Sequence, residues 1–220
     1  MKHVVKGAAP QAFDDWKALA TDNWTPSYTD LQNPEKAVLH AALLVEQGHV
    51  CCYCGRRIAL IDSHIEHFRP QEARPDLALD YENLLASCVR SPCIPLHCGH
   101  AKSNTFDETS YIAPLEAGCE YRFEYTPEGK IKSTDPTDAP AEYMLSLLEL
   151  GIKSLNNRRK NVITSVFSDD FLASATHTEL QSLRDAYRRR DEQGRLDNLG
   201  HVLARYAEQL LADMPPDTQP

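Results

Sequence analysis

The chain has 220 residues, a formal net charge of −9 and a hydrophobic fraction of 42%, enough for the core of one domain. No apolar run approaches the roughly 18 residues of a membrane span, and the acidic balance argues against a surface that wraps nucleic acid unaided. Pro10, Asp14 and Asp15 interrupt the opening "MKHVVKGAAPQAFDDW" too early for a secretory core, so the chain is expected to be cytoplasmic, and its seven cysteines point to metal binding more than to disulfides.

Residues 1–34 carry Pro10, Pro26 and Pro34 with Trp16 and Trp24, a composition of short helices and loops packed by aromatics. The stretch "NPEKAVLHAALLVEQGH" (33–49) predicts a helix. Asn33 is its N-cap, Pro34 fits the first turn, Gly48 is the stop, and Ala37, Leu39, Leu43 and Leu44 share an apolar face. Residues 1–49 thus form an N-terminal helical segment.

A cysteine- and histidine-rich module follows from about 50 to 107. Its six basic side chains (Arg56, Arg57, Arg69, Arg74, Arg90, Lys102) balance six acidic ones (Asp62, Glu66, Glu72, Asp76, Asp80, Glu82) between 51 and 104, so the excess negative charge lies elsewhere. Cys51-x-x-Cys54 is the knuckle spacing that points two thiolates at one ion, and Cys88 with Cys98, or with Cys93, offers a second pair for structural Zn²⁺. A redox pair is the competing reading, but a loop and strand follow Cys54 where a thioredoxin-like fold needs a helix. Cys52 and Cys119 read as buried thiols.

The stretch "SHIEHFRPQ" (63–71) reads as a strand ended by Pro70. Glu66 is a hard oxygen ligand suited to Mg²⁺ or a similar cation such as Mn²⁺, and His67 titrates near neutrality as a general base does. Neighbours on a strand point to opposite faces, so the two meet one substrate only if the strand twists or ends there. His64 reads as a structural histidine or one that supports a ligand, although its parity matches Glu66. "HCGHAKSN" (97–104) suggests the start of a short helix, with Lys102 placed for a phosphate. Arg56, Arg57 and Arg69 are further phosphate candidates or ordinary surface arginines.

Residues 108–220 make a third, partner-facing region. "CEYRFEYTPEGKIKS" (119–133) alternates around the turn "TPEG" and predicts a β-hairpin, and 138–166 and 176–213 predict helices. "NNRRK" (156–160) and "YRRRD" (187–191) read as solvated or partner-facing helix faces. Leu196, Leu199, Leu203, Tyr206 and Leu210 form a stripe for core or subunit contact. The tail "PPDTQP" predicts no fixed structure.

In this order the elements resemble the HNH nuclease family, with its ββα-metal fold. "IEHFRP" is similar to the family's acidic-His-x-x-Pro element, "NLLASC" to its Asn-Leu element, and "CGHAK" to the Cys-x-x-x-Lys start of its final helix. More narrowly, "DDWKALATDNW", "EQGHVCCYCG", "LDYENLLASC" and "SLNNRRKNV" resemble the HNH nucleases that accompany ATPases in Septu and retron antiphage systems, over roughly residues 1–165.

The resemblance implies an α+β chain, mainly helical, around a zinc-braced ββα-metal module. It implies His67 as general base, Glu66 as catalytic-metal ligand, and Asn83 as the residue that orients loop and base. Cys51, Cys54, Cys88 and Cys98 would hold zinc, and an ATPase subunit would be the partner. Gly99 stands where the family carries its second metal ligand; His100 or Asn104 substitutes, or water does, with His100 favoured. The expected activity is endonucleolytic hydrolysis of DNA. The alternatives are cleavage of RNA such as tRNA, or a non-catalytic zinc-stabilised adaptor.

Overall fold

The computed structural model describes residues 1–89, 91 and 94–214. Arg90, Cys93 and the tail 215–220 lie outside them.

The chain is α+β, with two small sheets among helices. After α1 (Gln11–Lys17), α2 runs from Glu35 to Glu46 and buries Leu39, Leu43 and Leu44, while Ala37 faces out. Asn33 does not cap this helix. Pro34 occupies the cap position, and the Gln32 carbonyl takes the Lys36 amide that a capped turn would leave open. The stop is as expected: Gly48 has φ +65, and the His49 amide reaches back to the Leu44 carbonyl at 2.7 Å, closing the helix end.

α2 packs on an antiparallel hairpin of β1 (Ser63–His67) and β2 (Leu84–Cys88), in register Ser63↔Cys88 to His67↔Leu84. The buried Gln47 side chain fastens this contact, donating to the Val50 and Ala86 carbonyls and accepting from the Ala86 amide. The short helix α3 (Gly99–Lys102) follows β2, flanked by Cys98 at φ +56 and Ser103 at φ +49.

β3 (Phe123–Tyr125) and β4 (Ile131–Ser133) form the second hairpin around the predicted turn. There Gly129, φ +76, sits so close to a neighbouring helix that a Cβ would lie 2.2 Å from the Asn156 carbonyl oxygen. The segment predicted as helical over 138–166 is two helices, α4 (Ala139–Leu147) and α5 (Lys153–Val166). Glu149, at φ +50, breaks the path between them.

After the short α6 (Asp169–Leu172), α7 (His177–Arg188) begins with a full capping box between Thr176 and Glu179. It packs along α8 (Gly200–Asp213). Leu199, Leu203 and Tyr206 of the apolar stripe fill a second core with Ile163, Phe167 and Leu180.

The basic runs lie mostly at the surface, with Arg158, Lys160, Arg188, Arg189 and Arg190 exposed, while Arg159 turns inward. Arg159 is buried and donates to the Gly129 and Leu150 carbonyls, Arg188 pairs with Glu120 and Glu208, and Arg190 holds the Val45 and Glu46 carbonyls at the end of α2. These contacts tie three guanidinium groups of the runs to the fold. Among the described residues, no helix is long and apolar enough to cross a membrane.

Candidate metal centre

Cys51 and Cys54 stand on a knuckle closed by the Gly55 amide on the Cys51 carbonyl at 2.9 Å. Gly55, φ +69, is required there, because a Cβ would lie 2.0 Å from the His201 ring. Cys88 ends β2 and Cys98 precedes α3, so the four sulfurs gather the knuckle, the strand and the helix start. All four ligand atoms lie within 4.8 Å of one another.

The Cys54 and Cys88 sulfurs are 3.7 Å apart. That is far beyond a disulfide bond of about 2.05 Å. It is close to the about 3.8 Å edge of a tetrahedron built on a Zn–S distance of about 2.3 Å. The residues present therefore fit a closed structural zinc site. The Cys88 amide on the Cys51 sulfur at 3.3 Å and the His97 Nδ1 3.3 Å from the Cys98 sulfur add supports around it. Burial resists charge on Cys51, yet hydrogen bonds from neighbouring thiols hold it well below the usual thiol range, while Cys88 and Cys98 are pushed well above. A bound Zn²⁺ favours the deprotonated form of every ligand.

Beside this clamp lies the charged end of β1. Glu66 is buried, with its Oε1 accepting from Lys102 Nζ at 2.9 Å and from the Tyr53 hydroxyl at 3.1 Å. Its Oε2 faces His64 Nε2 at 3.3 Å. Burial would raise its carboxyl, but His64 and Lys102 outweigh that and hold it below the ordinary range.

Lys102 is itself buried, 1% exposed, and also donates to the His67 carbonyl at 2.9 Å. Its ammonium is engaged inside the protein rather than presented to a phosphate, and it leaves no gap for an ion between itself and Glu66. Arg69 is half-exposed and lies 3.5 Å from Glu108.

His67 points to the other face, as strand alternation requires. Its ring packs edge-on to Tyr28 at 4.4 Å, and its Nε2 lies 3.0 Å from the Ala78 carbonyl. A carbonyl only accepts, so Nε2 carries the proton and Nδ1, 3.5 Å from Gln71 Nε2, keeps the lone pair. Burial lowers the affinity of this ring for a proton below the ordinary imidazole value. Asn83 governs the same loop: it accepts from the Arg69 amide at 2.7 Å and donates to the Arg69 and Leu77 carbonyls.

His100 donates from Nε2 to the Val89 carbonyl at 2.9 Å, and its ring lies 4.4 Å from that of His64. Among the described residues, no hydrogen bond or ion pair joins Asn104 to this group. Sequence reasoning missed Tyr53, which lies between the cysteines of the Cys51-x-x-Cys54 knuckle, and Tyr28, which comes from a segment with no motif. It undervalued His64, whose parity with Glu66 was the available signal. Two clefts flank Tyr28. One, of about 550 Å³, is lined by Asn33, Lys36, His40, Ser63 and His64. The other, of about 450 Å³, is lined by Thr25, Gln71 and Ala78.

No family model matches the chain. Over 99 residues, 44% of its length, the chain is 27% identical to a protein of Vibrio cholerae serotype O1 biovar El Tor that is named, by assignment, as the HNH endonuclease of retron Vc95. The match spans 47% of that relative, so the chain spans about half the length of the curated protein it matches. This distant likeness supports the HNH endonuclease family for the chain.

Proposed function

We propose that the chain is a metal-dependent HNH endonuclease that hydrolyses phosphodiester bonds, with DNA as its substrate. In this reading residues 50–107 are the nuclease module, braced by Zn²⁺ on Cys51, Cys54, Cys88 and Cys98. Residues 1–49 wall the substrate cleft, and 108–220 face a partner. Glu66 holds Mg²⁺ or Mn²⁺, which when bound polarises the scissile phosphate and stabilises the departing oxygen.

His67 takes a proton at Nδ1 from the attacking water. The observation that carries the reading is the fixed tautomer of this ring: Asn83 pins the loop 69–78, and the Ala78 carbonyl of that loop holds Nε2–H. A general base needs its lone pair on a known nitrogen before substrate arrives. Lys36, over the Tyr28 ring at 4.7 Å, supplies positive charge to the larger cleft. With a net charge of −9, the chain relies on an ATPase subunit of an antiphage complex to bring the nucleic acid.

The test is incubation with DNA and with RNA separately, with Mg²⁺ and with EDTA. Metal-dependent cutting of DNA is expected; cutting of RNA alone moves the substrate to RNA, and EDTA-resistant cutting rejects the metal role. A second reading, a non-catalytic adaptor, is favoured by the pairing of Glu66 with Lys102, since a carboxylate satisfied by an ammonium does not require a metal. It predicts that His67→Ala leaves the activity of the intact system unchanged.

A further inference from the structure

We infer that His64, rather than His100 or Asn104, is the second protein ligand of the divalent cation at Glu66; the inference rests on the nuclease reading above. His64 Nδ1 lies 2.7 Å from the Val89 carbonyl. That carbonyl only accepts, so Nδ1 donates to it and Nε2 is the nitrogen left to ligate a cation in the neutral ring, with the outer hydrogen bond typical of a metal-ligating histidine.

Nε2 faces Glu66 Oε2, 3.3 Å away. An imidazole nitrogen and a carboxylate oxygen this close are bridged either by a proton on Nε2 or by a cation between them, and the cation takes the proton's place when it binds. The spacing suits one: adjacent ligands of an octahedral ion at about 2.1 Å lie about 3.0 Å apart. Oε1 is occupied by Lys102 and Tyr53, so the carboxylate has one oxygen to give and turns it towards His64.

Gly99 explains why the ligand comes from the strand. A Cβ there would lie 2.3 Å from Glu66 Oε2 and 2.7 Å from His64 Nε2, so any side chain at 99 would fill the space in front of the pair. The histidine two residues before Glu66 shares its face of β1 and takes over the role. Val89, whose carbonyl sets the tautomer, is held at φ +70, a conformation that a β-branched residue rarely adopts. That backbone turns one carbonyl to both His64 and His100. His100 spends its Nε2 there and lies against the His64 ring at a 36° tilt, which makes it a buttress for the ligand.

The experiment loads the zinc-replete full chain with Mn²⁺ and reads two things: affinity from the free-ion EPR signal, and directly bound imidazole from ¹⁴N modulation of the electron spin echo. Wild type is expected to show imidazole modulation that disappears in Glu66→Gln. His64→Ala should lose the modulation and bind Mn²⁺ about 10–100-fold more weakly, whereas His100→Ala retains the modulation. Zinc content and melting curves check that each variant is folded, and modulation retained in folded His100→Ala excludes His100 even where His64→Ala does not fold.

Glu66-dependent Mn²⁺ binding without imidazole modulation in wild type, or modulation that survives in His64→Ala, overturns the assignment of His64 and leaves the metal nuclease standing. Absence of any Glu66-dependent Mn²⁺ binding overturns both.

Discussion

His67 and Glu66 are adjacent in sequence and divided by the strand between them. Alternation sends the carboxylate towards Lys102, Tyr53 and His64, and the imidazole towards Tyr28 and Ala78. Each is fixed by its own set of partners, so the two are expected to fail differently. Glu66→Gln should abolish Mn²⁺ binding while leaving the His67 tautomer in place. His67→Ala should lower cleavage by about 10²–10⁴-fold with zinc content and melting temperature unchanged, measured by plasmid nicking and metal analysis. How much was legible at this scale depended on partners. Cys51 and Cys54 announced themselves by spacing and Glu66 and His67 by residue type, while Asn83 and the choice of Cys88 with Cys98 came from the resemblance to HNH nucleases. The burial of Lys102 and the aim of His64 were not legible, because both depend on where Glu66 points, which strand parity alone leaves open.

At the scale of elements, the four cysteines bring together the knuckle, β2 and the start of α3 beside a five-residue strand pair, and a zinc ion on them would fasten these pieces to one another. Cys54→Ser should therefore lower both bound zinc and the melting temperature. Full zinc occupancy with an unchanged melting curve would remove Cys54 from the ligand set. The second hairpin depends on a glycine instead. Gly129→Ala combines a positive φ with a Cβ 2.2 Å from the Asn156 oxygen and 2.3 Å from the Lys160 amide nitrogen, and should cost about 1–3 kcal/mol in denaturant unfolding.

That hairpin was readable from its alternation and its turn, and α2 from its apolar periodicity. The break between α4 and α5 was not, since "LELGIKS" keeps a helical pattern through the point where Glu149 adopts φ +50. The inward turn of Arg159 was equally hidden. Its partners are backbone carbonyls, to which sequence patterning is blind.

Across the whole molecule, a buried polar cluster joins the N-terminal segment, the second hairpin and the last two helices. Glu120 pairs with Lys2 and Arg188, and His201 lies 3.3 Å from the Tyr125 hydroxyl with the first-residue amine, Arg159 and Lys2 also acting on it. Burial first, then these positive charges, hold the His201 imidazole well below its ordinary value, while Glu120 is held to about 2 and stays charged. A histidine depressed in the folded state favours folding above its unfolded value of about 6.5, and that contribution is lost as pH falls below it. The wild-type melting temperature should thus drop between pH 7.5 and 5.5, and His201→Gln should flatten the drop. An unchanged slope in that variant would assign the acid sensitivity to other groups.

The account's central claim is that the end of β1 performs metal-assisted phosphodiester hydrolysis. It is tested most directly by following plasmid nicking in Mg²⁺ by the protein purified with the proposed ATPase partner, wild type against His67→Ala at matched zinc content. The account predicts nicking by wild type that EDTA stops and that His67→Ala lacks. Equal nicking by the two proteins, or none by either, would contradict it.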